Sequence, residues 1–534
     1  MTPDLPQSTV ITDPRRRRLV LAAMCSALIA VVAAVSGLNV AQMHLAEDLG
    51  ATQSAVLWVI NGYTIALAAL LLPIGAVGDR YGRKPVLLAG LVLFIAASLG
   101  SALSGSVALL ITLRVLAGVG AAMVMPVTLS VITSTFPGEE RERAIGIWAG
   151  FAGAGGILGV IVSSYIVDNV TWPWVFALPI AVAALSLLLS IRNVPDTRDE
   201  PVGAFDTVGS ILSAVAVGAL VLGLHEGPEA GWTAPITLAG IAVGVAAGIA
   251  FVAYELRRDH PLLDVGLFRH RMLAGGSLAL LSVFAVMGAL FLVLIQFMQA
   301  VLGYSAIRAS LSLLPLAMIM MPLSGIAPVL AKRTGIRALL VVGAALVAAG
   351  LALMGVMASA EGGYWSVMPG LLVLSVGIGL CMTPGTTAIT GSLPVEDQGV
   401  ASALNDTVRE LGTAVGVALI GSVLNAGYAA SVSSSADALG AEAGGLVKEG
   451  VGQGVAVAQA TGSPELLDSV RHAFVDGWNG AMWLSAGIAL ATAVVAAVVV
   501  PRKADEPAFG DTADHPADPH PTPPPPEPAP ALVD

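Results

Sequence analysis

The sequence contains little charge, few aromatic residues and almost no cysteine. Of its 534 residues, 11% are charged, 5% are aromatic and two are cysteines. Soluble domains carry about 25% charged residues, so this chain lacks the polar surface that a soluble domain needs. Cys25 and Cys381 lie within apolar runs, a pattern that indicates neither a disulfide framework nor a metal site. The chain also lacks a Walker loop and any His/Cys cluster with metal-ligand spacing, so we expect no ATP use, metal, cofactor or enzyme activity.

Long hydrophobic runs fill the chain instead. Hydrophobic residues make up 56% of the sequence, and the mean hydropathy is +0.85. A helix needs about 20 apolar residues to cross a bilayer, and the runs are too long and continuous for barrel strands. We predict an all-α membrane protein with fourteen spans, near 19–41, 55–78, 86–104, 107–130, 143–167, 173–191, 208–225, 234–256, 273–296, 309–331, 337–358, 366–388, 402–426 and 478–500.

The first run follows four consecutive arginines, as a secretory signal would. It is longer than the roughly 7–15 apolar residues of a signal-peptide core, and many spans follow it. We therefore interpret 19–41 as an uncleaved first span.

The loop charges give the predicted spans an orientation. Basic residues of short loops gather on the cytoplasmic side of membranes. One face receives Arg15 to Arg18, Arg80, Arg83, Lys84, Arg141, Arg143, Arg192, Arg198, Arg257, Arg258, Arg269, Arg271, Lys332, Arg333, Arg337, Arg502 and Lys503. Both termini are therefore predicted to be cytoplasmic, although the connection with Glu396 and Asp397 is not basic. Although the net charge is −11, its acidic excess lies in the C-terminal tail, and no nucleic-acid partner is expected.

The spans divide the chain into segments. We predict a basic N-terminus at 1–18, a six-helix bundle at 19–191, a linker with an inserted helix pair at 192–272, and a second six-helix bundle at 273–500. Within the second bundle, the Ala-, Gly- and Ser-rich residues 429–471 are expected to form a loosely folded external loop. The Pro-rich segment 501–534 is expected to be a disordered cytoplasmic tail.

An internal repeat relates the two predicted bundles. The segment GAVGDRYGRK at 75–84 matches PVLAKRTGIR at 328–337, with Arg80, Gly82 and Lys84 aligned to Arg333, Gly335 and Arg337. Each segment closes the second span of a six-span unit. Duplicated halves with a central site between them are the usual architecture of secondary transporters.

The same segment carries a family resemblance. Gly75, Asp79, Arg80, Gly82, Arg83 and Lys84 resemble the signature of the major facilitator superfamily between spans 2 and 3. Stretches 58–63, 114–120, 172–176, 260–269 and 399–412 resemble its fourteen-span drug:proton antiporters, the last being most similar to the quaternary-ammonium exporter branch. The resemblance implies a major facilitator fold of two six-helix bundles plus an inserted pair. It also implies a monomer in the inner membrane that exports small hydrophobic substrates against protons.

The sequence departs from that family pattern at three places. Ala34 stands where the first span usually carries an Asp. Gly155 and Gly156 replace the Gly-Pro of the antiporter signature, and span 2 has Asn61 where quaternary-ammonium exporters can carry an acid.

Ionisable residues within spans are costly and are candidates for function. Asp406, Arg409 and Glu410 lie together in span 13, where Arg409 is three residues from Asp406 and can pair with it. Burial favours a neutral carboxyl and a nearby positive charge favours an ionised one, so Glu410 is the acid expected to exchange protons. The alternative is that the three residues only anchor the helix. For Arg114 in span 4 the resemblance implies a role in proton coupling, and a structural charge pair is the alternative.

Other candidate residues have structural or gating roles. Asp79 and the bases of the 75–84 loop are expected to gate by pairing Asp79 with a helix N-terminus or a neighbouring arginine. Small residues allow close helix approach in lipid, so the span 5 glycines are expected to pack helices. These glycines are Gly150, Gly155 and Gly159. The predicted cavity residues are Trp58, Asn61, Tyr63, Gln296 and Gln299.

These observations predict a proton-coupled exporter of small hydrophobic drugs or antibiotics. Two alternatives stay open. One is a proton-coupled metabolite importer, and the other is a non-transporting membrane sensor or scaffold whose Pro-rich tail is the active part.

Overall fold

The structure is a computed structural model that describes residues 11–197, 204–393 and 397–502. The predicted tail and most of the basic N-terminus lie outside these residues. In the described ranges every regular element is helical. The helices are α1 Pro14–Leu49, α2 Gln53–Tyr81, α3 Arg83–Ala102, α4 Val107–Thr135, α5 Gly138–Asn169, α6 Ala177–Asn193, α7 Thr207–Ala230, α8 Pro235–Glu255, α9 Arg271–Gln296, α10 Ala306–Leu311, α11 Leu314–Thr334, α12 Ile336–Met357, α13 Met368–Thr390, α14 Gln398–Asp437, α15 Ala441–Glu449, α16 Val451–Thr461 and α17 Pro464–Val499.

Fourteen spans are long and apolar enough to cross a membrane within the described ranges. They are α1 to α9, the α10–α11 pair as one span, α12, α13, α14 and α17. This count confirms the sequence prediction. Residues near the two chain ends lie on the same side of the molecule, because Ile11 N–H donates to the Thr135 carbonyl and Arg502 lies beside Gly335. We call this side the terminal face.

The spans form two bundles and an inserted pair. In the first bundle α1 packs on α5 and α6, and α4 packs on α2 and α3. In the second, α12 packs on α13 and α17, and α14 packs on α9 and α17. The inserted helices α7 and α8 pack on each other, and α7 also contacts α2 and α14. The main contacts between the bundles are α5 with α11 and α2 with α14.

The repeat detected in the sequence has a structural counterpart. Gly82 lies between α2 and α3 with φ +109°, and Gly335 lies between α11 and α12 with φ +85°. Each donates its N–H to the carbonyl of the residue four positions earlier, Gly78 or Ala331. Side chains rarely adopt positive φ, so the same tight turn requires glycine in both halves.

The segment 429–471 differs from its expectation as a loosely folded loop. Helix α14 continues to Asp437, α15 and α16 follow, and α17 begins at Pro464. Val432, Val447 and Val470 are fully buried, and the Tyr428 hydroxyl donates to the Val447 carbonyl at 2.8 Å. The segment thus forms a compact helical extension of the second bundle with its own apolar core.

Candidate functional site

Asp79 near the end of α2 binds the beginning of α14. Its Oδ1 accepts the Gly399 N–H at 2.9 Å, and its Oδ2 accepts the Val400 N–H at 3.1 Å. These N–H groups lie in the first turn of α14, where backbone donors have no partner within the helix and the helix dipole favours a negative charge. Asp79 therefore joins the first bundle to the second at the terminal face.

Arg83 and two glycines shape this contact. The Arg83 guanidinium binds Asp79 Oδ1 at 2.7 Å, and both side chains are buried. A Cβ on Gly75 would lie 2.6 Å from the Ala403 Cβ, and a Cβ on Gly399 would collide with the Asp79 carboxylate. Glycine at both positions lets α2 and α14 approach closely enough for the hydrogen bonds to form.

The other bases of the 75–84 loop point elsewhere. The Lys84 ammonium donates to the Ile191 carbonyl at 3.0 Å, which ties the loop to the end of α6. Arg80 lies 6.0 Å from the Tyr81 ring centre. A second contact between the bundles joins Glu142 of α5 to Lys332 of α11 at 3.4 Å.

Arg114 is fully buried inside the first bundle. Its Nε donates to the Val59 carbonyl at 3.2 Å, and one terminal nitrogen lies 3.4 Å from the Ala34 carbonyl. The guanidinium carbon is 4.2 Å from the centre of the Tyr63 ring. The remaining nitrogen, Nη1, has no hydrogen-bond partner among the described residues. Arg114 thus lies beside Ala34, where the family pattern has an acid, and is held by carbonyls and a ring.

Tyr63, a predicted cavity residue, is fully buried, and its hydroxyl donates to the Val31 carbonyl at 3.1 Å. Arg114 and Glu410 of α14 are both close enough to interact with it electrostatically. Tyr63 therefore lies near the buried cation of the first bundle and near an acid of the second, a relation that their positions in the sequence do not reveal.

Asp406 and Arg409 form a buried ion pair in α14. Arg409 Nη1 lies 3.1 Å from Asp406 Oδ1, which also accepts from Asn405 Nδ2 at 3.1 Å. The Arg409 guanidinium lies 5.3 Å from the Trp148 ring centre of α5 and 4.5 Å from the Phe284 ring centre of α9. Asp406 is completely buried and Arg409 is 5% exposed. This pair fixes α14 against helices of both bundles.

Glu410 has a different environment from Asp406. Its side chain is half-buried. Among the described residues, its carboxyl forms no hydrogen bond and no ion pair. It lies one residue beyond Arg409 on α14, on the side near Tyr63. Of the two acids, Asp406 is ion-paired with Arg409, whereas Glu410 has no ion pair among the described residues.

The remaining predicted cavity residues are spread along the bundles. Trp58, Asn61 and Gln296 are half-buried, and Gln299 is exposed. Gln299 lies in a π-helical turn, Phe297–Val301, that ends the α9 span. No hydrogen bond joins these four side chains to one another in the described part of the chain, so their cavity role stays a prediction.

The glycines of α5 face two different helices. A Cβ on Gly150 would lie 3.5 Å from Met321 Cα of α11, across the boundary between the bundles. A Cβ on Gly155 would lie 3.4 Å from Ile29 Cα, and one on Gly159 would lie 2.8 Å from Ala33 Cα, both in α1. Gly155 and Gly159 therefore pack the first bundle internally, whereas Gly150 lies where α5 meets α11 of the second bundle.

Two linked bundles of apolar, membrane-length helices, with buried charges where they meet, are the architecture of a polytopic membrane transporter. The family model described as the Major Facilitator Superfamily matches residues 22–417. The chain belongs to this superfamily.

Curated relatives and solved structures agree with this assignment. The chain is 34% identical to the multidrug efflux pump LfrA of Mycolicibacterium smegmatis, over 92% of this chain and 97% of the relative. It is 31% identical to the tetracenomycin C resistance and export protein of Streptomyces glaucescens, over 88% of each chain. It is 30% identical to the methyl viologen resistance protein SmvA of Salmonella typhimurium, over 88% of this chain and 95% of the relative. The human organic anion transporter MFSD10 has a similar fold, with a TM-score of 0.58 and 15% identity over 89% of this chain and 100% of that one.

Proposed function

We propose that the protein exports small hydrophobic molecules, drugs or antibiotics among them, in exchange for protons and by alternating access. The observation that carries the proposal is the hydrogen bonding of Asp79 to the first turn of α14. This contact holds the two bundles together at the terminal face, and it must break before a central site can open there. The relatives that are named as efflux pumps and as resistance or export proteins support the drug class.

The proton step is assigned to Glu410. When a proton arrives from outside, Glu410 becomes neutral and the substrate leaves. When Glu410 loses the proton toward the cytoplasm, the site is reset for the next substrate. Arg114 supports this cycle as the buried cation that contacts the Tyr63 ring. Asp406 is assigned a structural role, because its charge is compensated by Arg409 in a buried pair.

The energy available is sufficient for export. A membrane potential of about 100 mV contributes about 2.3 kcal/mol per charge moved. That free energy supports a gradient of roughly fiftyfold for a neutral substrate. The positive loop residues support a cytoplasmic terminal face and a location in the inner membrane, and the superfamily fold supports a monomer.

The test is a drug-susceptibility panel on cells that express wild type or Glu410→Gln, combined with uptake into everted vesicles. Wild type is expected to raise resistance to at least one hydrophobic drug and to accumulate it when the vesicle interior is acidified. Glu410→Gln is expected to lose both effects at equal protein abundance. Accumulation with the opposite pH gradient would identify an importer. Loss of function on deletion of 504–534, with Glu410→Gln fully active, would favour the sensor alternative.

The similarity of 399–412 to quaternary-ammonium exporters adds a finer proposal. Permanently charged cations need an acid in the cavity, and Glu410 is the acid that the geometry leaves available. The same panel should therefore include a quaternary ammonium dye, whose export we expect to depend on Glu410 more strongly than that of a neutral drug.

A further inference from the structure

Two buried carboxyls face each other in the inserted helix pair at the terminal face. Asp206 precedes α7 and Glu255 ends α8, and they are 5% and 3% exposed. One oxygen of each is satisfied, because Asp206 Oδ1 accepts the Gly209 N–H at 2.9 Å and Glu255 Oε2 accepts the Leu262 N–H at 2.9 Å. The other two oxygens, Asp206 Oδ2 and Glu255 Oε1, are buried without a donor.

These two oxygens lie together. Both crowd the same side of Gly209, where a Cβ would collide with Glu255 Oε1 and lie 2.6 Å from Asp206 Oδ2. The two side chains are within hydrogen-bonding reach of each other. Two adjacent carboxylates cannot both stay ionised in a buried site, and such pairs commonly share one proton.

Among the described residues, no positively charged side chain forms an ion pair with Asp206 or Glu255. The Tyr254 hydroxyl faces Asp206, and Arg258 lies over the Tyr254 ring with its guanidinium carbon 5.3 Å from the ring centre. Arg258 is exposed on the chain just beyond α8. The neighbouring residues of α2 that pack nearby, Leu72 and Ala76, are apolar. Within the described part of the chain, Tyr254 is the neighbouring side-chain donor that could compete with a shared proton.

The pair holds a connection that reaches the second bundle. Glu255 binds the backbone of Leu262 and Leu263. The side chains of these two leucines are buried in an apolar cluster with Val400 and Leu404 of α14. This is the same end of α14 that Asp79 binds. A change in the carboxyl pair would therefore act on the packing around the start of α14.

We propose that Asp206 and Glu255 bind one shared proton, and that this proton fastens the 256–270 connection to the inserted helix pair. The site is separate from the span 13 acid, and it does not depend on the direction of transport. When the proton leaves, the two carboxylates repel each other, Glu255 turns toward water, and the connection loosens. Because the unfolded chain has lost this proton above about pH 4, the stability that the folded protein gains from it decreases as the pH rises.

The test is infrared spectroscopy of the full-length protein in lipid nanodiscs, titrated from about pH 5 to about pH 8. A Glu410→Gln background, which removes the other acid expected to bind a proton, should show the C=O stretching band of a protonated carboxylic acid, and this band should be missing when either Asp206→Asn or Glu255→Gln is added. Asp259→Asn is the matched control, because Asp259 is exposed in the same connection, and it should keep the band. Tyr254→Phe should also keep it. A band that persists in both amide variants overturns the proposal, and so does loss of the band in Tyr254→Phe alone.

A second measurement uses wild type alone, so it does not depend on whether the variants fold. Amide hydrogen exchange of 256–270, corrected for the intrinsic pH dependence, should accelerate over the pH range in which the band disappears. Unchanged exchange across that range would contradict the proposal.

The titration is repeated with a chelator and with added Ca²⁺ or Mg²⁺. Stabilisation by either ion without an acid band would show that a cation, not a proton, joins the carboxyls.

Discussion

Replacing Asp79 by alanine should open the terminal face. The change removes both hydrogen bonds to the first turn of α14, at 2.9 and 3.1 Å, and a negative charge at a helix N-terminus. Hydrogen bonds to charged groups contribute about 1.5–3 kcal/mol each. Water reaches the freed N–H groups once the face opens, so we take about 2 kcal/mol as the net loss. This loss shifts the ratio of open to closed molecules roughly thirtyfold.

The shift is measurable as a distance between two spin labels. Arg141 and Thr334 are exposed on the terminal face, next to the ion pair that joins α5 to α11. Both native cysteines are buried, so cysteines introduced at these two positions are labelled selectively. Electron paramagnetic resonance should show one short distance in wild type. In Asp79→Ala a longer distance should dominate.

Two further variants sharpen this experiment. Asp79→Asn keeps one acceptor but loses the charge, so its distance distribution should fall between those of wild type and Asp79→Ala. Asp168→Ala is the control, because Asp168 is an exposed acid at the opposite end of α5. If Asp79→Ala and Asp168→Ala both gave the wild-type distribution, the reasoning that Asp79 holds the bundles together would be refuted.

Three other predictions concern α14 and α5. Glu410→Gln should bind substrate more weakly, because its neutral side chain mimics the state that releases substrate, and it should lose transport driven by a pH gradient, as measured by ligand binding and vesicle uptake; normal uptake would contradict the assignment. Asp406→Asn should lower the stability of purified protein by about 3–5 kcal/mol, because the buried charge of Arg409 loses its anionic partner. An unchanged melting temperature would show that the pair does not stabilise the fold. Gly159→Leu should destabilise the first bundle by about 1–3 kcal/mol. Gly325→Leu is the control and should not destabilise the protein, because a Cβ at Gly325 meets nothing within 4 Å. Equal melting temperatures of the two variants would contradict the packing argument.

The spans were predictable because lipid leaves the backbone few choices. Each span must be helical and apolar over about 20 residues, so hydropathy alone located all fourteen. Helices α15 and α16 were not predictable in the same way. They lie outside the spans in an Ala-, Gly- and Ser-rich segment, and their small buried valines give no strong hydrophobic period. Their helicity depends on packing against the extensions of α14 and α17.

The site was predictable in its residues but not in its contacts. The repeated loop indicated that Asp79 would meet a helix N-terminus or an arginine, and it meets both, but the sequence does not say that the helix is α14. The position of Tyr63 near both Arg114 and Glu410 depends on how three helices pack. A hydropathy pattern contains no information on such contacts across the two bundles.

Nothing in the sequence indicated the acid pair of the inserted helices. Asp206 looks like an ordinary helix cap and Glu255 like an interfacial charge at the end of a span. Only the packing of α7 on α8 brings their carboxyls together.

The most direct test of the account is proton movement driven by substrate in sealed liposomes that contain the purified protein and an internal pH dye. A gradient of an exported drug, directed out of the cytoplasmic face, should move protons in the opposite direction in wild type. Glu410→Gln should move the drug down its gradient without any proton signal. Proton movement of wild-type size in Glu410→Gln, or drug transport by wild type without a pH change, would contradict the central claim that Glu410 couples the two fluxes.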